Sequence, residues 1–171
     1  MNHHETVINL IKTHFGDKEI SGIEIGTGGG ALPAAIMLLC PHVLKLITID
    51  PWKHKDNVEF EASWPQERLD ATREEAFKRL AIYKDRISIM HMTSGEAINS
   101  MPKEVDFVHI DGDHSEKGIT TDLELYYPLV KKGGILSGHD YGQCHPLTEI
   151  IKEKFGDRIN MGCDFVWWVF V

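Results

Sequence analysis

A short β-branched run leads into a glycine-rich loop near the start of the chain, and this junction constrains the fold more than any other feature. Ile20 to Ile25 is predicted to be a buried strand, the loop 26–30 carries four glycines, and Pro33 suits the first turn of the helix that follows. Glycine permits a sharp turn and lets a ligand approach the backbone without meeting a Cβ atom. This order of elements predicts a doubly wound sheet with a ligand at the loop.

An acidic residue follows at the place where such a sheet binds a ribose. The second predicted strand, Leu44 to Ile49, ends at Asp50, twenty residues after Gly30. A carboxylate at this position is suited to accept hydrogen bonds from the 2′- and 3′-hydroxyls of a ribose. The loop and Asp50 together therefore predict a cofactor that contains adenosine. The alternative is that the glycines only form a tight turn and that Asp50 caps the next segment.

Strands alternate with helices along the rest of the chain. Five more strands are predicted from short apolar runs, and they lie at 87–91, 105–110, 135–138, 158–161 and 165–171. Such alternation implies right-handed crossovers and a mainly parallel sheet. We therefore predict an α/β fold in which residues 1–171 form one domain, a Rossmann-like, doubly wound, mainly parallel seven-stranded sheet with a C-terminal antiparallel hairpin.

The secondary structure of two connecting segments can be predicted more specifically. The polar stretch from Pro51 to Pro65 has no clear period, so it is predicted to be a long loop of the kind that often has a functional role. The helix that begins near Ser115 is predicted to continue to the Lys-Lys-Gly-Gly segment at 131–134, with its basic residues in the last turn.

Composition favours a cytoplasmic protein that acts on small molecules. No apolar run approaches the roughly 20 residues that span a bilayer, and the N-terminus lacks the basic start of a signal peptide. The three cysteines are too few for a disulfide framework, so they are predicted to be free thiols. The net charge of −8 comes without a Lys/Arg cluster and would repel a nucleic-acid backbone. We expect a small-molecule partner, and neither a nucleic acid nor a membrane.

The glycine pattern leaves two cofactors open. The spacing Gly26-x-Gly28-x-x-Ala31 also satisfies the dinucleotide-binding pattern, which by itself is a weak signal. Tyr127 and Lys131 have the spacing found in short-chain dehydrogenases, but Pro128 interrupts the helix on which such a pair must lie. A nicotinamide-dependent oxidoreductase is therefore retained as the alternative function.

Several motifs together resemble the class I S-adenosylmethionine-dependent methyltransferases. The segment 24–30, Glu-x-Gly-x-Gly-x-Gly, resembles their first motif, Asp50 resembles their acid after strand two, and 131–134 resembles their entry to strand five. The segments 105–114, VDFVHIDGDH, and 138–141, GHDY, are similar to the small-molecule O-methyltransferases related to macrocin methyltransferase. The resemblance implies that the cofactor is S-adenosylmethionine.

The resemblance also implies which residues bind this cofactor. The first-motif acid and glycines would flank the methionine part, Asp50 would bind the ribose, and the segment after strand three, with Glu96, would face the adenine. The residues assigned to the cofactor in this way are Glu24, Gly26, Thr27, Gly28, Asp50, Pro51, Thr93, Ser94, Gly95 and Asp111. The chain departs from macrocin-type relatives in lacking their long N-terminal extension and in having His139 where they more often have an acid.

Acidic residues and histidines follow the fourth and fifth predicted strands. Because the carboxyl ends of neighbouring parallel strands converge on one crevice, Asp111, Asp113, His114, His139 and Asp140 are expected to be neighbours. One interpretation is structural, with a turn, a helix cap and a satisfied histidine. The other is a site for Mg²⁺ or another divalent cation held by Asp111, His139 and Asp140, with Asp113 or His114 as the base.

The function predicted from these features is methyl transfer from S-adenosylmethionine to a hydroxyl of a small molecule such as a sugar. A non-catalytic adenosyl-binding module is the third hypothesis. Trp52 and Trp64 are expected to pack the loop or cover a ligand, and Trp167 and Trp168 to pack in the sheet or at the edge of a homodimer. His109 is predicted to lie in the core, and no role is predicted for His3, His4, His42, His54 and His91.

Overall fold

The structure is a computed structural model that describes residues 2–56 and 63–171. Residues 57–62, part of the predicted loop from Pro51 to Pro65, lie outside the described residues. The strands are β1 (Ile20–Ile25), β2 (Val43–Ile49), β3 (Ile87–Met90), β4 (Val105–Ile110), β5 (Val130–Gly138), β6 (Asn160–Met161) and β7 (Trp167–Phe170). The helices are α1 (His3–Phe15), α2 (Ala31–Leu39), α3 (Gln66–Leu80), α4 (Ser94–Ala97), α5 (Glu116–Tyr126) and α6 (His145–Phe155).

The strands form one seven-stranded sheet in the order β3-β2-β1-β4-β5-β7-β6. Strands β1 to β5 pair in parallel, whereas β7 is antiparallel to both β5 and β6. The order reverses direction at β1, where β2 lies on one side and β4 on the other. This topology confirms the predicted Rossmann-like α/β fold with its C-terminal hairpin, and it places the ligand crevice at the ends of β1 and β4.

The predicted end of the fifth helix is wrong. Helix α5 stops at Tyr126, a short 3-10 turn covers Tyr127–Leu129, and β5 begins at Val130. Pro128 has no N–H to donate, so the α-helix cannot continue through it. Lys131 consequently lies in a strand, where its ammonium pairs with Asp106 at 3.0 Å.

Helices cover both faces of the sheet. On one face, Val7 and Ile11 of α1 and Ile36 of α2 belong to a buried cluster with Leu46 and Phe107. Fully burying aliphatic side chains of this size is worth about 1.5–3 kcal/mol each. On the other face, a second buried cluster joins α4, α5 and α6 to the sheet, and its members include Ile119, Leu123, Ile151, Ile23 and Val108.

Helix α1 begins close to the carboxyl ends of the central strands. Asn2 caps it, because the Asn2 side chain accepts from the N–H of Glu5 at 2.9 Å and the Glu5 carboxylate accepts from the N–H of Asn2 at 3.0 Å. The N–H of His3 then donates to Asp164 at 2.9 Å. These contacts fix the first turn of α1, with His3 and His4, beside the ligand crevice.

The structure also bears on the cysteines and on the search for membrane-spanning helices. Cys40, Cys144 and Cys163 are free thiols, as predicted. In residues 2–56 and 63–171 no helix combines the length and the apolar character that crossing a membrane requires.

Candidate active site

A cavity of about 750 Å³ opens at the carboxyl ends of the parallel strands. Its size lies within the range of pockets that hold small ligands and cofactors. Fourteen of the site residues predicted from the sequence line it, and only Glu96 of the predicted set is not among the lining residues. The fourteen are Glu24, Gly26, Thr27, Gly28, Asp50, Pro51, Thr93, Ser94, Gly95, Asp111, Asp113, His114, His139 and Asp140. The topology therefore brings these residues together, as expected for residues that follow neighbouring parallel strands.

The glycine loop passes unusually close to the loop after β4. Gly26 has φ +94°, and a Cβ atom at this position would lie 1.8 Å from the carbonyl oxygen of Asp111. The two loops are joined at their base, because the N–H of Asp111 donates to the carbonyl of Ile25 at 2.8 Å. Only glycine fits at Gly26, and the close approach places Asp111 beside the loop.

Asp50 organises the glycine loop as well as facing the cavity. Its carboxylate accepts from the N–H of Gly28 at 2.9 Å and from the N–H of Trp52 at 2.8 Å. Burial raises the pKa of Asp50, and the hydrogen bonds from Trp52 and Gly28 oppose that rise. A carboxylate held in this way keeps lone pairs available for the hydroxyls of a ribose.

The two tryptophans near the loop pack against the protein. Trp52 is buried with Leu69 and Ala76, and its indole N–H donates to the carbonyl of Gly28 at 2.9 Å. The guanidinium of Arg68 lies over the Trp64 ring, and its central carbon is 3.3 Å from the ring centroid. Trp52 thus holds the glycine loop in place, and the same residue lines the cavity.

Glu24 is a buried carboxyl group at the end of β1 with hydroxyl partners. It accepts a hydrogen bond from Thr48, whose hydroxyl also lies 2.5 Å from that of Thr27. Burial raises the pKa of Glu24 well above its usual value, and the charges of Asp111 and Asp50 add to that rise. A cationic group of a ligand placed here would gain a charge-assisted hydrogen bond.

Glu24 belongs to a polar row that crosses the sheet. Cα partners across neighbouring strands are Glu24 with Thr48, Glu24 with His109, and His109 with Ser137. Burial lowers the pKa of His109 to about 4, so the imidazole is neutral, and its Nδ1 lies 3.0 Å from the Ser137 hydroxyl. The predicted core position of His109 is confirmed.

The loop after β3 forms the far end of the cavity. Thr93 caps α4, with its hydroxyl accepting from the N–H of Glu96 at 3.3 Å while Glu96 accepts from the N–H of Thr93 at 2.9 Å. The Tyr126 hydroxyl of α5 donates to the carbonyl of Ser94 at 2.7 Å. Ser94 and Gly95 line the cavity, whereas Glu96 uses its carboxylate to cap the helix.

Asp122 also lines the cavity, although it was not predicted from the sequence. It lies on α5 and is only 2% exposed, and burial raises its pKa to about 6. A signal for it exists in the sequence, because Asp122 interrupts the apolar stripe formed by Ile119, Leu123 and Tyr126. A charged residue on the buried face of a helix calls for an explanation.

Asp111, His139 and Asp140 form a compact group after β4 and β5. Each offers a ligand atom, and these atoms all lie within 4.8 Å of one another. The Nδ1 atom of His139 is 3.3 Å from Asp140, and the Nε2 atom of His114 is 3.0 Å from Asp140 and 3.6 Å from Asp111. The arrangement brings carboxylate oxygens and imidazoles together at one wall of the cavity.

The charges in this group stabilise one another. Burial would lower the pKa of His114, but the hydrogen bonds and charges of Asp111 and Asp140 raise it to about 10. Burial would likewise raise the pKa of Asp140, yet His114 and His139 hold it well below its usual range. The pKa of Asp111 is also lowered, against the effect of its burial, first by the hydrogen bond from His114. Both carboxylates are therefore ionised at neutral pH, and His114 is a cation.

Asp113 lies on the same wall and has different partners. Its carboxylate is 2.6 Å from the Lys55 ammonium and accepts from the N–H of Ser115 at 3.0 Å. Burial would raise the pKa of Asp113, but these partners lower it. Asp113 is thus an ionised carboxylate that faces the cavity without belonging to the Asp111–His139–Asp140 group.

Two residues at the start of α1 also line the cavity and were missed. His3 and His4 lie at its rim, where the His3 ring is 4.5 Å from the His139 ring and its Nδ1 is 3.3 Å from Asp164. No local pattern marks these histidines, because their position depends on how α1 packs across the sheet.

The fold and the cavity define an α/β protein that binds an adenosine-containing cofactor at the switch point of a doubly wound sheet. A sequence model of the family described as "Methyltransferase domain" matches residues 23–141, which include β1, the glycine loop, Asp50 and the segments after β4 and β5. The chain belongs to this methyltransferase family, whose cofactor is S-adenosylmethionine.

A curated relative supports a common origin without adding a function. An uncharacterized protein of Acanthamoeba polyphaga mimivirus is 28% identical over 148 residues, which cover 81% of this chain. The chain spans 59% of the length of that relative.

Solved structures share the fold over nearly the whole chain. A proposed rRNA methylase from Clostridium thermocellum is 13% identical, with 99% of this chain and 96% of that chain covered and a TM-score of 0.70. A proposed caffeoyl-CoA O-methyltransferase from Staphylococcus aureus is 14% identical, with 98% and 82% covered and a TM-score of 0.69. The calicheamicin-biosynthesis enzyme CalS11, a TDP-rhamnose 3′-O-methyltransferase, is 12% identical, with 96% and 77% covered and a TM-score of 0.63.

Proposed function

We propose that this chain transfers the methyl group of S-adenosylmethionine to a hydroxyl of a small molecule, a sugar being the preferred class. The observation that carries the proposal is that one cavity holds both the cofactor residues around Glu24 and Asp50 and the group formed by Asp111, His139 and Asp140. The similar fold of CalS11, which methylates TDP-rhamnose, supports a sugar hydroxyl as acceptor.

The residues on the cofactor side fit S-adenosylmethionine. When bound, this cofactor supplies a methyl group activated by a sulfonium. Glu24, which Thr48 hydrogen-bonds, would accept hydrogen bonds from the ammonium of the methionine part, and Asp50, which holds the N–H of Gly28, would accept them from the ribose. The bare backbone at Gly26 and Gly28 leaves room for the chain that joins these two parts.

The Asp111–His139–Asp140 group fits a divalent cation such as Mg²⁺. The donor set offers two ionised carboxylates and one imidazole, which oxygen-preferring and borderline cations accept. His139 has a raised pKa, through its hydrogen bond to Asp140 and against its burial. A cation takes the neutral imidazole as its ligand, so cation binding and protonation would compete at His139. A cation bound here would lower the pKa of an acceptor hydroxyl.

Asp113 is the proposed base, and His114 is a positioning residue. The acceptor hydroxyl gives its proton to the Asp113 carboxylate, and its oxygen bonds to the methyl carbon as the carbon–sulfur bond breaks, leaving S-adenosylhomocysteine. His114 already holds its imidazole between Asp111 and Asp140, at 3.6 and 3.0 Å, and so orients both carboxylates. Of the two bases predicted from the sequence, His114 is already a cation, whereas Asp113 is an ionised carboxylate that lines the cavity.

The acceptor is proposed to be a small molecule because the chain carries a net charge of −8. That charge would repel a phosphate backbone at long range. A homodimer and a cytoplasmic location remain predictions. The family match favours methyl transfer over hydride transfer, and a non-catalytic adenosyl-binding module is the remaining competitor.

The test is a transfer assay with methyl-labelled S-adenosylmethionine and a panel of nucleotide sugars, phenols and short RNA. We expect label to enter at least one hydroxyl compound, with added Mg²⁺ or Mn²⁺ increasing the rate and a chelator reducing it. Label in RNA alone would contradict the small-molecule assignment. Tight binding of S-adenosylhomocysteine with no methylated product in any class would support the binding-module hypothesis.

A further inference from the structure

We propose that the ion pair between Lys55 and Asp113 is a gate that the cofactor passes when it enters and leaves the cavity. The gate is a contact between two side chains, so it controls how fast the cofactor exchanges and not how tightly it binds. The inference rests on the proposed function, because it concerns access to the cofactor site that this function requires.

The ion pair joins two loops that follow different strands of the sheet. The Lys55 ammonium lies 2.6 Å from the Asp113 carboxylate, and the two residues belong to the segments after β2 and β4. Strand β1 lies between β2 and β4. Because parallel strands end at the same edge of the sheet, the ion pair crosses over the end of β1, where the glycine loop begins.

The ion pair also lies at the mouth of the cavity. Lys55 and Asp113 line the cavity together with Gly28 and Asp50. Their side chains are 39% and 28% exposed, so each of them meets solvent as well as the cavity. A ligand that moves between solvent and the glycine loop on this side has to displace the contact.

The two partners are held with different firmness. The Asp113 carboxylate also accepts from the N–H of Ser115 at 3.0 Å, and a Cβ atom at Gly118 would lie 2.5 Å from its Cγ, so Asp113 packs against the first turn of α5. In the part of the chain that the structure describes, the Lys55 ammonium hydrogen-bonds only to Asp113. The stem of a lysine side chain is flexible. Lys55 is therefore the moving part of the gate, and Asp113 is the fixed part.

The backbone that carries Lys55 need not move when the gate opens. The N–H of His54 donates to the Gln66 side chain at 3.0 Å, and the His54 Nδ1 atom lies 2.9 Å from the carbonyl oxygen of Trp64. Gln66 in turn donates to the carbonyl of Trp52 at 2.9 Å. These contacts anchor the residues before Lys55, so rotation of the lysine side chain is sufficient to open the gate.

The strength of the contact sets the size of the expected effect. Partly exposed ion pairs are weak, because water competes for both charges, so the closed state is favoured by no more than about fivefold. The contact does not include the cofactor, so it closes the cavity to the same extent before and after binding. Removing it should raise the rate constants of association and dissociation by the same factor and leave the affinity nearly unchanged.

The experiment is stopped-flow mixing of the whole chain with S-adenosylhomocysteine, followed by the fluorescence of tryptophan, since Trp52 lines the cavity. The slope of the observed rate against ligand concentration gives the association rate constant, and the intercept gives the dissociation rate constant. In Lys55→Met and in Asp113→Asn both constants are expected to rise about two- to fivefold, while their ratio stays within about threefold of wild type. The double variant should be no faster than either single variant, because both changes remove the same contact.

Two controls separate the contact from a general effect of charge. Lys53→Met is the matched variant, because Lys53 lines the same cavity and takes part in none of the ion pairs among the described residues. It should exchange S-adenosylhomocysteine at the wild-type rates. Raising NaCl from about 0.05 to about 0.5 M should speed exchange by the wild-type protein, since salt screens a half-exposed ion pair, and should leave Lys55→Met nearly unchanged.

Each outcome has a distinct meaning. Wild-type rate constants in Lys55→Met, or an equal rise in Lys53→Met, would overturn the gate and leave the cofactor site intact. A loss of affinity in Lys55→Met that comes from faster dissociation alone would also overturn it, because Lys55 would then contact the ligand directly. If the wild-type protein does not bind S-adenosylhomocysteine, the proposed cofactor site fails and the gate fails with it.

Discussion

The acidic residues on the two sides of the cavity have pKa values that are shifted in opposite directions. On the cofactor side, burial raises the pKa values of Glu24 and Asp50, and it does the same for Asp122 in the cavity wall. On the acceptor side, Asp111, Asp113 and Asp140 are also buried to differing extents, but histidine or lysine partners lower their pKa values. The difference shows which charges the protein satisfies by itself and which it leaves for a ligand.

The contrast has a physical consequence for binding. A carboxyl group that is buried without a cationic partner destabilises the folded protein until a donor arrives. The ammonium and ribose hydroxyls of the proposed cofactor are such donors. The carboxylates on the acceptor side are already ionised and held in place, so they are prepared for a cation or a proton. We expect variants on the two sides to separate binding from chemistry.

The largest effect is expected for Asp113→Asn on the acceptor side. Removing a general base from a formed site costs typically about 10²–10⁴-fold in rate, so turnover should fall by that factor. Affinity for S-adenosylhomocysteine in the same variant should stay within about threefold of wild type, and this serves as the internal control. If Asp113→Asn turns over at the wild-type rate, a group other than Asp113 must be the base.

The next effect is expected for Gly28→Val on the cofactor side. Gly28 has φ +50° and lines the cavity, so a branched side chain would both strain the loop and occupy ligand space. We expect affinity for S-adenosylhomocysteine to fall at least about 100-fold, or about 2.7 kcal/mol. Gly156→Val is the matched control, because Gly156 has the same φ and no atom lies within 4 Å of where its Cβ would be. Cofactor binding by Gly28→Val at wild-type strength would place the cofactor elsewhere.

The contrast in pKa also predicts how stability depends on pH. The folded-state pKa of Asp122 is about 6, against an ordinary value of 3.8. As pH rises between these values, the unfolded chain loses this proton while the folded protein keeps it, so stability falls, and above about pH 6 the loss is constant. Asp122→Asn should therefore be more stable than wild type at pH 7.5 by up to about 3 kcal/mol, with little difference near pH 3.5.

Urea unfolding of both proteins at the two pH values measures this difference. Asp157→Asn, a change of the same kind at an exposed position, is the matched control and should show little difference from wild type at either pH. A stability gain for Asp122→Asn that is the same at both pH values would mean that charge burial is not its cause.

A smaller effect is expected for Asp50. Asp50→Ala removes the acceptor for the ribose and for the N–H groups of Gly28 and Trp52, so affinity for S-adenosylhomocysteine should fall at least about tenfold. Asp50→Asn keeps one carbonyl oxygen and should lose less. Calorimetry on both variants checks the order, and unchanged affinity in Asp50→Ala would remove Asp50 from the ribose site.

The sequence predicts most of this site because the site follows strand order. Residues that end β1, β2, β4 and β5 must meet at one edge of a parallel sheet, so Asp50, Asp111 and His139 could be grouped without a structure. His3 could not, because its contact with Asp164 joins positions 161 residues apart through the packing of α1. Asp122 could have been found as an acid in an apolar helical stripe, but its place in the cavity wall depends on how α5 packs against the Ser94 loop.

The error at the end of α5 has a local cause. The segment 131–134 has the basic residues and glycines of a helix end, and the composition of this segment alone favours that interpretation. Pro128 decides the outcome, since it ends the helix first and leaves the segment in β5.

The most direct test of the two-sided account is calorimetric titration of the wild-type protein with S-adenosylhomocysteine, once with Mn²⁺ and once with a chelator. If Glu24 and Asp50 form a cofactor site independent of the Asp111–His139–Asp140 group, affinity should be micromolar in both conditions and agree within about threefold. Binding that disappears with the chelator, or that occurs with NAD in place of S-adenosylhomocysteine, would contradict the account.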